Sequence, residues 1–324
     1  MQTGLEVPVG SGRETRGSRR WAVPLFLGFL FTTLAELTTI RFVPGKDGRW
    51  VVRTAEDPGD GIILFVLGVS LLTLVCGIGF LIQWARERIR GGGGLWPSRM
   101  VSGTDVIVTC AWLQLLQIVF LFVTELFLPP TLFAEGTAAG MLESASLQFF
   151  ILAVAFFRFR GRGTALGFCR PRRPGRMLAA ILLLLGLILF VLDLVVTNPV
   201  ADLFHLSLDS EREQQIQQEI LASQSRDPLH FWANVAIVGL IVPLAEEILF
   251  RGVIQTYLVH RFGAIIGIGV SSFWFALLHV DPALFAPLFA IGLALGILRH
   301  RFQSLWGAII LHSLNNLFSV MVHL

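Results

Sequence analysis

The stretch PLAEEILFRG, residues 243–252, lies inside an apolar run that begins at Phe231, and it decides how the rest of the chain must fold. An acidic residue at the centre of a bilayer costs roughly 2.5–3.5 kcal/mol on insertion scales. The charged side chains of this stretch therefore require partners or water. Glu247 and Arg251 are four residues apart, so on a helix they share a face and can pair. Glu246 lies about 100° round the helix from Glu247, so its carboxylate must face another element.

Two later apolar segments carry polar residues at helical spacing. In SSFWFALLHV, Phe275 and His279 are four residues apart, and in LHSLNNLF, His312 and Asn316 are also four apart. Each pair therefore shares one face of a helix. Together with Glu246, two histidines projected from two further helices would form a polar pocket that can hold a metal or activate a water molecule.

These three segments, in this order, resemble the EExxxR, FxxxH and HxxxN motifs of the CPBP family of intramembrane proteases. The family includes the type II CAAX prenyl endopeptidases and the bacterial lysostaphin resistance protein A-like members, also called Abi proteins. The resemblance covers about residues 230–324, and the preceding part of the chain carries none of these motifs. It implies a CAAX-type intramembrane endopeptidase.

The residue types favour hydrolysis by an activated water, because no serine or cysteine stands beside a base at helical spacing. Glu246, together with His279, would position and deprotonate that water. The family resemblance implies that His312 and Asn316 donate hydrogen bonds to the oxyanion of the tetrahedral intermediate. Three further residues would orient these groups or pack beside the cleft: Glu247, Arg251 and Phe275.

Two interpretations of the metal chemistry are open. Glu246, His279 and His312 form a ligand set that occurs in many catalytic zinc sites, and members of the family are commonly called metalloproteases. A glutamate-dependent protease without a tightly bound metal would use the same residues. An HExxH helix is absent from the sequence. Zinc is therefore the expected cofactor under the first interpretation, and no cofactor is expected under the second.

The composition is that of a helical membrane protein. The chain has 324 residues, of which 54% are hydrophobic and only 15% are charged, and its mean hydropathy is +0.73. A soluble domain would carry about 25% charged residues. The net charge of +3 comes almost wholly from arginine, and these arginines lie in loops without aromatic residues in register. We therefore expect an all-α polytopic transmembrane bundle and no nucleic-acid partner.

The apolar runs predict eight to nine membrane spans. The basic loops lie on the cytoplasmic side if the N-terminus is inside, in agreement with the positive-inside rule. The nine runs cover about residues 21–40, 61–84, 105–128, 141–157, 177–197, 231–258, 263–279, 282–298 and 304–324.

These runs divide the chain into four parts. We expect a disordered cytoplasmic tail at residues 1–20, five spans within 21–197, a polar extramembrane helical segment at 198–230, and the catalytic core at 231–324. The loop at 41–60 is expected to form turns. The predicted location is the bacterial plasma membrane, and the predicted partners are membrane lipids and a membrane-associated peptide or protein, prenylated or not. The sequence does not indicate an oligomeric state.

Depth along the helices supports one common pocket. Glu246 lies about 16 residues before the turn at residues 262–263, and His279 lies about 16 residues after it, so both are roughly 24 Å from that turn.

The competing interpretation of this polar cluster is non-enzymatic. A membrane scaffold, an immunity protein or a proton-coupled transporter could use the same buried polar cluster, and the ion pair of Glu247 with Arg251 could serve only to hold helices together.

Overall fold

The computed structural model describes residues 16–45, 48–55, 57–89, 100–134, 137–209 and 211–322. Most of these residues are helical, which confirms the predicted fold class. The first eight helices are α1 (Arg16–Thr38), α2 (Asp60–Ile89), α3 (Gly103–Phe127), α4 (Ala138–Ser144), α5 (Ser146–Phe159), α6 (Gly163–Leu166), α7 (Pro174–Phe190) and α8 (Asn198–Phe204). The other seven are α9 (Glu211–Arg226), α10 (Pro228–Ala236), α11 (Val242–Glu247), α12 (Gln255–Phe262), α13 (Ala264–Leu277), α14 (Phe285–Phe302) and α15 (Leu305–Val322).

The predicted count of eight to nine spans is not confirmed. Ala264–Leu277 is apolar but has only 14 residues. Six helices within the described ranges are long and apolar enough to cross a membrane: Gly17–Thr38, Asp60–Ile89, Gly103–Phe127, Pro228–Phe262, Phe285–Phe302 and Leu305–Val322. The number rises to eight if two bent pairs each count as one span: Ala138–Ser144 with Ser146–Phe159, bent by 66°, and Pro174–Phe190 with Asp193–Phe204, bent by 50°.

A small antiparallel sheet follows α1, and it corrects the prediction of a loop with turns at 41–60. Strands β1 (Ile40–Pro44) and β2 (Trp50–Thr54) pair with Arg41 opposite Arg53. The backbone of Trp50 also donates to His205 O at 2.7 Å and accepts from Ser207 N at 2.8 Å. The hairpin is thus held by the turn that follows α8.

One long helix lies at the centre of the molecule. Pro228–Phe262 runs for 35 residues and consists of α10, α11 and α12, joined by π-helical turns at Ile237–Ile241 and Ile248–Ile254. Its residues Ala245 and Leu249 are almost fully buried in the largest apolar cluster, which also takes side chains from α1, α3, α5, α13 and α15. The stretch around residues 243–252 is therefore the packing centre, as its hydrophobicity predicts.

The division into domains stays a prediction, but two of its boundaries can be compared with the structure. Helix α1 begins at Arg16, inside the predicted tail, whereas residues 1–15 lie outside the described part of the chain. The polar segment 198–230 is largely helical, because it contains α8, α9 and the start of α10. The connection between the second and third predicted spans includes residues 90–99, which also lie outside the described ranges.

Candidate functional site

Glu247 and Arg251 form the buried ion pair that their spacing predicts. Arg251 Nη1 donates to Glu247 Oε1 at 2.9 Å, and both residues are fully buried. The same carboxylate oxygen lies 2.9 Å from His312 Nδ1. Because an ionised carboxylate can only accept, His312 Nδ1 carries the proton of this hydrogen bond. Glu247 is thus fixed by two neighbours, one from its own helix and one from α15.

Glu246 is the less constrained of the two adjacent carboxylates. It retains 8% exposure, and its Oε2 atom is buried without a hydrogen-bond partner among the described residues. That oxygen lies 3.9 Å from His312 Nε2. Buried polar atoms are nearly always hydrogen-bonded, so an unpaired carboxylate oxygen points to a bound water or to chemistry. Its position opposite an imidazole nitrogen makes Glu246 the reactive candidate.

His312 lies between the two carboxylates and determines their charge balance. Its Nδ1 atom faces Glu247 and its Nε2 atom faces Glu246. If His312 is neutral, the two carboxylates and Arg251 sum to one negative charge, and if His312 is an imidazolium the cluster is neutral. An uncompensated buried charge is costly.

Phe275 connects the second histidine to this cluster. Its ring is 1% exposed, and the Arg251 guanidinium lies over it at 4.4 Å from the centroid. The ring makes edge contacts with His279, at 4.7 Å between centroids, and with His312, at 5.8 Å. The four-residue spacing is preserved, because His279 Nδ1 lies 2.8 Å from Phe275 O. That carbonyl can only accept, so Nε2 is the basic nitrogen of His279 when the ring is neutral.

His279 lies just outside a helix, although the sequence places it on one. Helix α13 ends at Leu277, and Val280 takes a left-handed backbone conformation with φ of 53°. This conformation is strained for a β-branched residue. His279 is therefore presented by a tight turn between α13 and α14.

Asn316 occupies a position that Pro243 creates. In the π-helical turn Ile237–Ile241, Val242 N donates to Ile237 O, five residues back. The next bond in this register would run from residue 243 to Val238 O, but proline has no N–H group. Asn316 Nδ2 supplies the missing donor at 3.1 Å. One of its two amide hydrogens is thus used within the fold.

Two hydrogen bonds that the sequence analysis missed hold α14 against the central helix. Arg251 Nη2 donates to Gly292 O at 3.1 Å, and Gln255 Nε2 donates to Gly296 O at 2.9 Å. Both donors and both acceptors are four residues apart, so α14 runs parallel to α12. The four-residue spacing of Gln255 from Arg251 was a signal that both side chains lie on one face of the helix. The sequence GLALG at 292–296 was a second signal, but considered alone it indicates only close helix packing.

The predicted residues are therefore brought together to different degrees. Phe275 contacts both imidazole rings and the Arg251 guanidinium, and His279 adjoins the cluster through it. Asn316 is one turn beyond His312 on α15. The residues in direct mutual contact are Glu247, Arg251, Phe275 and His312, with Glu246 facing His312.

The donor arrangement does not fit the predicted three-ligand zinc site. Glu246 Oε2 and His312 Nε2 face each other, but no group of three or more His, Cys, Asp or Glu side chains within the described ranges is placed to hold a metal ion. His312 Nδ1 and His279 Nδ1 are both committed to oxygen atoms of the protein. We accordingly derive no catalytic step through a metal.

The fold and this site define a polytopic helical membrane protein with a buried Glu, Arg and His cluster in its core. Residues 228–318 match the family model described as "Rce1-like: Type II CAAX prenyl endopeptidase Rce1-like", in agreement with the predicted resemblance to the CPBP family. The match supports an integral membrane endopeptidase of the CAAX type. No curated protein and no solved structure matches the chain.

Proposed function

We propose that this protein hydrolyses a peptide bond of a membrane-associated substrate with a water molecule activated by Glu246. The observation that carries the proposal is the unpaired Oε2 atom of Glu246, buried 3.9 Å from His312 Nε2. A separation beyond direct hydrogen-bonding distance is suited to a bridging water. Glu247 Oε2 is also unpaired among the described residues, but Glu247 is less suited to this role, since Arg251 and His312 both bond to its Oε1 atom and it does not face His312 Nε2 as Glu246 does.

The chemistry then proceeds in two steps. Glu246 Oε2 takes a proton from the water while its oxygen attacks the carbonyl carbon of the scissile amide, which produces a tetrahedral oxyanion. The carbon–nitrogen bond then breaks, and the proton held by Glu246 passes to the departing amine. His279 assists this transfer, because its basic Nε2 atom is defined by the bond from Nδ1 to Phe275 O.

His312 and Asn316 stabilise the oxyanion. Since His312 Nδ1 is committed to Glu247, His312 donates to the substrate through Nε2 as an imidazolium, the protonation state that also neutralises the cluster. Asn316 contributes the amide hydrogen that is not used by Val238 O. Donors of this kind are each worth about 10²- to 10³-fold in turnover.

The family match supports a proposal for the substrate class. Type II CAAX prenyl endopeptidases act, as their description states, on prenylated CAAX sequences. We propose that this chain cleaves near the C-terminus of a lipid-modified or otherwise hydrophobic peptide that reaches the site from the membrane.

The test compares Glu246→Gln with Glu247→Gln in purified protein. Wild type should cleave quenched-fluorescence peptides, and matched prenylated and unprenylated peptides identify the preferred class. Glu246→Gln should lower turnover by about 10²- to 10⁴-fold with little change in Tm. Glu247→Gln should lower Tm as well, because it removes the charge that compensates the buried Arg251; breaking a buried pair costs roughly 3–5 kcal/mol. Glu125→Gln, an exposed carboxylate near the end of α3, is the matched control.

Two outcomes would contradict the proposal. Full activity in Glu246→Gln would remove Glu246 from the reaction. No cleavage by folded wild type, together with unchanged biological output of Glu246→Gln in cells, would favour the scaffold or immunity interpretation. Proton-coupled uptake of a solute into proteoliposomes, lost in the same variant, would favour a transporter.

A further inference from the structure

A second polar cavity lies outside the carboxylate site, toward the basic end of the central helix. It has a volume of about 440 Å³ and includes Thr256 and His260 of α12 in its wall. Thr256 is ten residues beyond Glu246, which corresponds to roughly 15 Å along a helix axis. The other lining residues are Met100, Val101, Thr164, Ala165, Gly167, Cys169, Arg170, Arg172, Arg299 and Gln303. No aspartate or glutamate is among them.

Arg299 is built into the wall of this cavity. It is 9% exposed, its Nη2 atom donates to Leu166 O at 3.3 Å, and its Nε atom is buried without a hydrogen-bond partner in the described structure. Gly167 has φ of +101°, and a Cβ atom there would come within 2.4 Å of Arg299 Nη2. Only glycine allows the guanidinium to lie flat against this backbone.

The loop that carries the other two arginines is fixed to the turn between α14 and α15. Gly167 O accepts from Leu305 N at 2.8 Å, and Cys169 O accepts from Ser304 Oγ at 2.7 Å. Cys169 Sγ donates to Gln303 O at 3.0 Å. Arg170 and Arg172 are therefore presented by an ordered scaffold. Neither they nor Arg299 forms an ion pair with a carboxylate in the part of the chain that the structure describes.

We infer that this cavity binds a phosphate-bearing anion. The buried guanidinium of Arg299 lies beside the exposed Arg170 and Arg172 in a recess without acidic residues. Such a recess favours an anion, and a guanidinium matches phosphate oxygens with paired hydrogen bonds. Two sources of phosphate are chemically equivalent here: the headgroup of an anionic phospholipid and free phosphate. The arginine-rich loop is predicted to lie at the cytoplasmic surface, where anionic lipids concentrate.

The test compares two arginine pairs from the same arginine-rich segment, one on the loop and one at the start of α7. Arg170→Gln with Arg172→Gln removes two charges from the cavity, whereas Arg173→Gln with Arg176→Gln removes two charges from exposed positions outside it. Protein in neutral detergent is titrated with phosphatidylglycerol, with phosphatidylcholine, or with inorganic phosphate. Bound lipid is counted by native mass spectrometry, and Tm is followed in parallel. Gly167→Ala, which displaces Arg299, provides a third variant.

The expected result is selective binding of phosphatidylglycerol over phosphatidylcholine, weakened about fivefold for each cavity arginine removed and much less in the control pair. Gly167→Ala should also weaken it. Inorganic phosphate that binds and competes would identify free phosphate as the ligand. Equal losses of phosphatidylglycerol binding in both pairs would overturn the inference, because the effect would then be one of general surface charge. No loss of binding in either pair would also overturn it, because the cavity arginines would then have no effect. None of these variants alters the Glu246 cluster, so peptide cleavage serves as an independent test of folding and of the proposed function.

Discussion

Asn316 donates to a main-chain carbonyl that has no donor within the central helix. Its structural role in the fold can therefore be tested separately from its proposed chemical role. Asn316→Ala should destabilise the protein by about 1–3 kcal/mol, because the part-buried Val238 O loses its hydrogen-bond donor. Pro243→Ala restores an N–H group at the position that could donate to Val238 O. The double variant should therefore recover Tm relative to Asn316→Ala while turnover stays low. Thermal unfolding and peptide cleavage, measured on the same preparations, check this.

Recovery of both Tm and turnover in the double variant would show that Asn316 acts only through the fold. Pro243→Ala alone is the matched control. It should change turnover little, because the Asn316 amide remains available to the substrate.

At the same scale, the sequence predicts the pair of Glu247 with Arg251 because side chains four residues apart meet on any helix. It also identifies Phe275, whose spacing from His279 survives past the end of α13. The contact of His312 Nδ1 with Glu247 was not predicted, because it depends on how α15 is rotated against the central helix. The bond from Asn316 to Val238 was missed for a related reason, since it depends on a π-helical turn.

At the scale of elements, the close approach of α14 to the central helix depends on Gly296. A Cβ atom there would come within 2.8 Å of both Gln255 Oε1 and Ile268 Cγ2. Gly296→Ala should therefore lower Tm and reduce turnover, since either the Gln255 and Ile268 side chains or α14 itself must shift, and a shift of Gln255 breaks its bond to Gly296 O. Replacing glycine by alanine in an unhindered helix instead stabilises it by up to about 1 kcal/mol.

Gly269→Ala in α13 is the matched control, because nothing lies within 4 Å of its added methyl group. Thermal unfolding of both variants in one detergent tests the contrast. A Tm for Gly296→Ala equal to that of wild type would contradict the proposed contact.

The stability of the first turn of the central helix should depend on pH. Asp227 Oδ1 accepts from His230 N at 2.9 Å, and Oδ2 lies 2.6 Å from His230 Nδ1. The backbone N–H of His230, followed by its side chain, lowers the pKa of Asp227 below its ordinary value. A lowered folded-state pKa stabilises the helix end above the ordinary aspartate pKa of about 3.9. This contribution is lost as the pH falls through the folded-state pKa.

Hydrogen exchange of the amides at residues 229–231, corrected for intrinsic rates, measures this contribution. Wild type should be better protected than Asp227→Asn at pH about 7, and the difference should vanish in acid. Asparagine remains an effective N-cap at every pH, so the comparison isolates the charge. A difference that grows as the pH falls would contradict the sign of the pKa change.

At the same scale, hydropathy predicts which segments are apolar helices but not how many cross the bilayer. Helix α13 is only 14 residues long, and two predicted spans are bent pairs of helices. Hydropathy also missed the hairpin of β1 and β2, whose register and attachment to residues 205–207 depend on backbone pairing between distant segments. Helix type is local information, whereas bends and sheet partners are set by tertiary contacts.

At the scale of the whole molecule, the core that surrounds the site is shared between the two halves of the chain. Phe29, Cys110 and Ile151 belong to the same buried cluster as Ala245. Residues 198–324 expressed alone should therefore aggregate or be degraded, and co-expression of residues 1–197 should restore a monodisperse complex. Size-exclusion chromatography measures the recovered fraction.

The matched control is a 1–197 fragment with Leu113→Asp, which introduces an unpaired charge at a fully buried position. It should fail to rescue residues 198–324. Independent folding of residues 198–324 would support the predicted boundary between the N-terminal spans and the catalytic core.

The two π-helical turns also determine which changes in chain length the site can tolerate. Each π-helical turn holds more residues than an α-helical turn, and Ile237–Ile241 and Ile248–Ile254 lie on either side of the two glutamates. Deleting one residue from the second turn would restore α-helical winding and leave both carboxylates at nearly the same angle relative to Gln255, because the wider turn accommodates one extra residue. Deletion of a single residue should therefore be tolerated between the glutamates and Gln255, whereas the same deletion within the α-helical segment α12 would rotate the residues beyond it by about 100°.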